Sequence, residues 1–300
     1  MAVVHSVPGR AVAGRSRPWH LSRRVRHGLF ELGMHLLLIT VGIGFLVPLA
    51  WLVSGSLKGP GQQFEFPPRW IPHPFAWDNY KQAVTQLPFH LFFRNSVIIC
   101  GLNLVGVLLS SSLAAFAFAR LRFPGRDALF LVLLSTMMLP GIVTLIPTFV
   151  LFRKLGWVDT FAPLTVPAFF GGGAFNVFLV RQFYMSIPFE LDEAARMDGA
   201  GSWRIWWQVL LPLTRPALGT VAIFNFLDNW NDFLGPLIYL RSMDKYTMSL
   251  GVASYQRTWG SQWHLIFSSA TLMVIPVIVV FFFAQRYFVR GIVLTGMGGR

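Results

Sequence analysis

"ELDEAARMDGAGSWR", residues 190–204, sets four carboxylates and five Ala or Gly residues into a chain that is 54% hydrophobic and only 12% charged. Pro188 precedes it, and Glu190, Asp192 and Glu193 fall in the first turn of an expected helix, where the helix dipole favours carboxylates. Gly199 is the natural stop of that helix, Ser202 caps a second one through "WRIWWQVLL", and Pro212 closes it. The stretch reads as two short helices, the first over 190–198, within a loop at 188–212. Ala194, Ala195, Gly199, Ala200 and Gly201 form the corner between them, and because they project almost nothing another backbone can come close. Trp203, Trp206 and Trp207 give the second helix bulk to lodge in a bundle or at a membrane surface. By shape alone, a docking surface and an ordinary elbow between larger elements both stay open.

On either side of this loop the chain is oily. A soluble domain carries about a quarter charged residues, whereas these 300 residues include 29 Phe and 11 Trp and half that share of charge. A membrane span needs about 20 apolar residues, and six stretches qualify: 30–56, 92–119, 128–152, 161–184, 215–240 and 265–284. None alternates with the two-residue period of a membrane barrel, so the expected fold is an all-α membrane protein with six transmembrane helices. Pro140, Gly141 and Pro147 interrupt the third stretch, and Pro163, Pro167 and Gly171 to Gly173 the fourth. Such breaks are tolerated where neighbouring helices or a water-filled path satisfy the freed backbone groups. They fit a bundle that moves and equally a bundle that packs closely.

A net charge of +13 would point to nucleic acid in a soluble chain, but here the basic residues report topology. Sixteen Lys and Arg fall in the N-terminal tail, the loops at 120–127 and 181–215 and the C-terminal tail, against nine in the alternate segments. Both termini and the 188–212 loop are therefore expected in the cytoplasm, and no nucleic-acid partner is expected. The first acid is Glu31, and the six arginines before it resemble a signal-peptide n-region. The apolar run that follows lacks an A-x-A end and fits a retained span better. Cys100 stands alone in an apolar run, giving no disulfide or metal cluster. Residues 57–91, with "FEFPPRWIPHPFAWDNY", suit a compact extracytoplasmic loop that touches a soluble partner, or an interfacial aromatic belt. The organisation expected is a basic tail at 1–29, one membrane domain at 30–289 and a second tail at 290–300.

"EAARMDGAGSWRIWWQVLLPLTRPAL", residues 193–218, resembles the EAA loop of ATP-binding-cassette (ABC) importer permeases, in which E-A-A and D-G-A precede a hydrophobic helix and L-P-x-x-x-P. Glu193, Ala194, Ala195, Asp198, Gly199, Ala200, Leu211, Pro212 and Pro216 match it. "NSVIICGLNLVGVLLSSSLAAFAFARLRFPGR", "LPGIVTLIPTFVLFRKLGWVDT", "FLVRQFYMSIPFELDEAA", "NWNDFLGPLIYL" and "QRYFVRGI" extend the resemblance over about residues 90–292, to the carbohydrate-uptake branch and in particular the smaller permease of maltose importers. The C-terminal "RGIVLTGMGGR" departs from the family's frequent "RGLTAGAVKG". The resemblance implies a type I ABC importer permease of a bacterial inner membrane. In that family the loop is a coupling helix seated in a cleft of the ATPase. It also implies a second homologous permease, two ATPase subunits carrying ATP and Mg, an extracytoplasmic solute-binding (lipo)protein and a sugar substrate, or in the same importer class a glycerol phosphate or other polar solute. The sequence contains no G-x-x-x-x-G-K-[ST], H-E-x-x-H or G-x-S-x-G, so a transport subunit that binds no cofactor and makes no covalent chemistry is expected, with ATP hydrolysed by another polypeptide.

In the fifth stretch, "FNFLDNWNDF", Asn225, Asp228, Asn229 and Asp232 recur at i, i+3, i+4 and i+7, on one helical face. A charge in mid-span costs about 2.5–3.5 kcal/mol on insertion scales, so the stripe must face protein or water. One reading makes it the lining of a pathway, where Asp and Asn exchange hydrogen bonds with sugar hydroxyls and Trp230 stacks on a sugar face. Another makes it glue between helices or subunits, and a third, a proton relay of a secondary carrier. Asn103, Ser110 to Ser112 and Asn176 are further lining candidates, and His35 reads as a packed residue.

Overall fold

The computed structural model describes residues 23–258 and 262–296. Residues 1–22 of the basic tail and 297–300 of the C-terminal tail lie outside them. All regular structure among the described residues is helical. The chain divides into two compact units, residues 1–50 and 51–300.

The first unit holds most of α1 (Arg23–Ser56), an unbroken apolar helix whose side chains from 27 to 48 are all exposed within the chain. A helix apolar all round and uncovered is built for lipid or another subunit.

In the second unit, a short 3-10 turn and α2 (Asp78–Thr85) make up the 57–91 loop. Asn79 Nδ2 donates to the carbonyls of Ser56 and Lys58 at 2.8 Å each, and Ser56 Oγ pairs with Tyr80 Oη at 2.6 Å, so the loop is compact as expected. Phe66, Trp70, Ile71 and Trp77 stay exposed on it. α3 (Phe89–Arg120) is the axis of the unit and packs on α7 (Ala174–Ser186) and α11 (Arg215–Asn231). Between them run α4 (Arg126–Ser135), α5 (Gly141–Lys154) and α6 (Ala162–Thr165); α8 (Glu190–Met197), α9 (Ser202–Arg204) and α10 (Leu211–Leu213) follow α7. The chain ends in α12 (Leu234–Tyr239), α13 (Met248–Thr258) and α14 (Trp263–Gly296). One core cluster joins Val107 and Phe116 of α3 to Val177 and Tyr184 of α7 and to Trp206; the other joins Phe92 and Cys100 to Trp230, Tyr255 and Leu265.

Among the described residues, four helices are long and apolar enough to span a membrane, and up to six if each of two bent pairs counts as one span. The expected third span is such a pair, bent by 100° between Met138 and Gly141, where Pro140 lacks the N–H that would continue the ladder. The fourth breaks into α6, a 3-10 turn at Val166–Phe169 and α7, with positive φ at Gly171, Gly172 and Gly173. Here glycine is required: a Cβ on Gly172 would sit 2.9 Å from Ser110 Oγ and from the Val107 carbonyl. The fifth helix ends at Asn231, nine residues before the expected 240, because Asp232 is extended (φ −62°, ψ 121°) and α12 starts anew.

Candidate functional site

The 188–212 loop begins as the carboxylate pattern predicts. α8 covers Glu190–Met197 and stops at Gly199, whose φ of +79° is the left-handed conformation a C-terminal glycine supplies; the Gly199 and Ala200 amides donate to the Arg196 and Ala195 carbonyls at 2.9 Å each. The second helix departs from expectation in two ways. Gly201, extended at φ −74° and ψ 166°, is its N-cap, and Ser202 is already helical with no side-chain cap bond. Pro212 does not close it either. The helix widens into a π-helical stretch at Ile205–Leu210, carries on through α10, which holds Pro212, and turns 77° into α11. Thr214 satisfies that corner by donating Oγ1 to the Leu210 and Leu211 carbonyls at 3.0 Å each.

The two faces of α8 differ sharply. Glu190, Leu191, Glu193, Ala194, Met197, Asp198 and Gly199 are exposed, Met197 at 88%, while Ala195 and Ala200 are half-buried against the core. Of the three tryptophans, Trp206 is buried with Ile205 and Leu210, and Trp203 and Trp207 are exposed. The loop is thus rooted in the bundle by one helix and shows a mixed acidic and apolar surface on the other.

Asp192, in the first turn of α8, is the residue that sequence reasoning passed over. Its side chain is fully buried, and Nε of Arg120, whose side chain is 4% exposed, lies 3.4 Å from Oδ2. Arg120 Nη2 donates to the Ile187 carbonyl at 2.8 Å. The guanidiniums of Arg120 and Arg196 each lie over the Phe189 ring, 5.5 and 5.7 Å from its centroid. Burial pushes the Asp192 carboxyl up from its ordinary pKa, against the pull of Arg120 and Arg196. The signal in the sequence was spacing: Asp192 and Ala195 share a face that Glu193 does not.

The polar stripe is only partly a stripe. Asn225 is buried, Asn229 half-buried, and Asp228 exposed within this chain; Asn229 Nδ2 donates back to the Asn225 carbonyl at 2.8 Å. Asp232 leaves the helical face because the helix has ended, and its Oδ1 accepts the Gly235 amide at 3.1 Å. Asn103 and Ser110 turn toward the broken fourth span. Asn103 Nδ2 donates to Leu164 O at 2.6 Å and Ile99 O at 3.1 Å, and Ser110 Oγ to Ala168 O at 2.8 Å. Ser111 and Ser112 are buried and donate to carbonyls of their own helix, while Asn176 Nδ2 donates to Gly172 O, in the glycine turn that precedes α7, at 2.6 Å. His35 Nδ1 bonds the Glu31 carbonyl at 2.7 Å on an exposed face of α1.

A second charged cluster ties other loops together. Asp159, at φ +62°, accepts the amides of Arg241 and Ser242 at 2.9 and 3.0 Å, the Ser242 hydroxyl at 2.6 Å and Lys245 Nζ at 2.9 Å.

Comparison with known proteins places this geometry. Residues 106–294 match the model of the binding-protein-dependent transport system inner membrane component family. The chain is 33% identical over 84% of its length to the diacetylchitobiose uptake system permease protein NgcG of Streptomyces coelicolor, also covering 84% of that protein. It is 33% identical to the arabinooligosaccharides transport system permease protein AraQ of Halalkalibacterium halodurans, over 87% of this chain and 96% of the relative. It is 34% identical to the sn-glycerol-3-phosphate transport system permease protein UgpE of Yersinia pestis, over 89% and 97%. Among solved structures, it superposes with a TM-score of 0.75 and 24% identity on a bacterial ABC transporter involved in alginate import, over 91% of this chain and all of that one. A second structure, of a bacterial alginate ABC transporter in complex with an alginate pentasaccharide-bound periplasmic protein, matches at 0.62 and 16%, over 87% and 95%. The fold is that of a type I ABC importer permease, and the chain belongs to the family of binding-protein-dependent transport system inner membrane components.

Proposed function

We propose that this chain is one of two permease subunits of an ATP-driven bacterial importer for a sugar or oligosaccharide, lining half of the pathway and receiving its driving motion through the 188–212 loop. A solute-binding protein delivers the solute from outside. Two ATPase subunits, carrying ATP and Mg, close against the loops, and both termini of this chain lie in the cytoplasm. ATP-driven closure moves the bundle from inward-facing to outward-facing, a rigid-body two-state transition, and hydrolysis resets it.

The observation that carries this reading is the outer face of α8. Glu193, Met197, Asp198 and Gly199 stand exposed on a helix whose inner side is fixed, and the small residues Ala194, Ala195, Gly199 and Ala200 leave room for an opposing surface. Glu193→Lys and Gly199→Asp, in the complex reconstituted in proteoliposomes, should leave the chain in the membrane and the ATPase active while uptake falls. Normal uptake in both variants removes the coupling role.

The substrate class rests on relatives named for oligosaccharide uptake and on charge. Asp228 is exposed on a span, so in the assembly it faces the pathway or the second permease, with Asn225 and Asn229 beside it. A neutral polyhydroxylated solute suits that lining better than a phosphate ester, which a carboxylate repels, although one relative is named for sn-glycerol-3-phosphate. Asp228→Ala should lower uptake or loosen the permease pair; unchanged kinetics with an intact complex removes Asp228 from the lining. Asn103, spent on the Leu164 carbonyl, serves the pathway by holding the broken span in place.

A further inference from the structure

The covalent chain connects the 188–212 loop to α7 on one side and to α11 on the other, and gives it no link to α3. The charged link to α3 is Arg120, the last residue of that helix. Its Nη2 holds the Ile187 carbonyl, in the turn that leads into α8, and its Nε stands 3.4 Å from the Asp192 carboxylate inside α8. One side chain thus grips both the entry to α8 and its first turn. The other inward residues of α8 and the corner, Ala195 and Ala200, offer only small apolar contacts, the large buried ones of the loop, Ile205, Trp206 and Leu210, lying in its second helix. Apolar contacts of that size slide, whereas opposite charges shielded from water resist separation. α3 in turn bonds the broken fourth span through Asn103 to Leu164 and through Ser110 to Ala168. A displacement of α3 therefore reaches residues 162–173.

We propose that Arg120 and Asp192 form the joint through which movement of the 188–212 loop is passed to α3 and on to the broken span. Both are positioning residues. The proposal rests on the coupling role of the loop, so its test keeps the two separable. The experiment uses the full importer in proteoliposomes with its binding protein, reading solute taken up per ATP hydrolysed together with recovery of the assembled complex. Arg120→Met with Asp192→Leu removes both charges and keeps the volume, leaving no orphaned charge to block folding. This double variant and Asp192→Asn should assemble and hydrolyse ATP while solute moved per ATP falls by at least about fivefold, the lower end of ordinary allosteric coupling. Arg120→Lys, which keeps the charge, should recover most of the ratio. An unchanged ratio in the double variant and in Asp192→Asn, with Glu193→Lys still uncoupled, overturns the joint and leaves the loop's role standing. If the two variants lower only the yield of complex, and what assembles transports normally, the pair is a mere stabiliser and the joint is overturned. A normal ratio in Glu193→Lys as well overturns the coupling reading beneath it.

Discussion

Near the start of α3, Asn95 Nδ2 reaches the carbonyls of Asp244 and Tyr246 at 2.8 and 3.0 Å, the residues on either side of Lys245 and its partner Asp159. At the other end of the same helix, 25 residues and about 38 Å along the axis, Arg120 meets Asp192. The two pairs are built differently. Asp159 is partly exposed and saturated, with both carboxylate oxygens taking donors from Arg241, Ser242 and Lys245 while its carbonyl takes Lys245 Nζ at 2.7 Å. Asp192 is wholly buried, and neither of its oxygens has a hydrogen bond within 3.5 Å. A saturated pair at the surface fixes two loops to each other at little desolvation cost. A buried pair held by charge alone is costly to make and costlier to half-remove, which suits a contact that must stay closed while its surroundings move.

The largest effect expected from breaking this contrast comes at the buried end. Arg120→Met alone leaves the Asp192 charge without its closest partner and should destabilise the protein by about 3–5 kcal/mol, while adding Asp192→Leu should return most of that loss. Thermal unfolding of both variants in detergent measures it. Equal losses in the single and double variants would mean that packing, not charge, holds this end.

At the clamp the effect should be smaller and depend on which atoms are removed. Asp159→Ala loses every side-chain acceptor and forces an alanine into a left-handed backbone, for about 2–3 kcal/mol. Asp159→Asn keeps an oxygen for the Arg241 and Ser242 amides and tolerates φ +62°, for about 1 kcal/mol. If Asn proves as damaging as Ala in the same melts, the Lys245 charge dominates the clamp and the two ends are alike.

The same contrast shows what the sequence made legible. Unbroken apolar runs place α1, α3 and α14 because nothing else satisfies a backbone in lipid, and the first-turn carboxylates with Gly199 place α8 to within a residue. The bend of 100° at Pro140 and the early end at Asn231 were not legible, because proline and aspartate mark a break without fixing the direction the chain takes after it. Within the loop, three acids in one turn all satisfy the helix dipole; spacing sets Asp192 on the face of Ala195, and the neighbour 72 residues away shows that this face is the one turned inward. Asn103 likewise reads as a polar residue in a span until the Leu164 carbonyl, 61 positions on, takes its amide. The matched EAA positions, from Glu193 to Ala200, describe the exposed side of α8 better than the side that packs on this chain.

The smallest effect is the most discriminating, because the two carboxylates should respond to acid with opposite sign. Hydrogen bonds from the Ser242 hydroxyl and amide, then from Arg241 and Lys245, hold Asp159 well below the usual carboxylate range. The folded state therefore binds its proton less readily than the unfolded chain, and the stabilisation is complete above the ordinary value of about 3.9 and lost as pH falls below it. The stability gap between the protein and its Asp159→Asn variant should hold constant between about pH 8 and 5 and narrow below about pH 4. At Asp192, burial raises the pKa in spite of Arg120 and Arg196, so the fold carries at neutral pH a cost that protonation relieves. Measured against Asp192→Asn, the unaltered protein should therefore gain stability as pH falls through the range just above about 3.9, where Asp159 does not yet titrate. Unfolding midpoints of the three proteins across that range decide it: two gaps that move in the same direction would show that both pairs are governed by their partners' charge, and that burial does not set the Arg120 end apart.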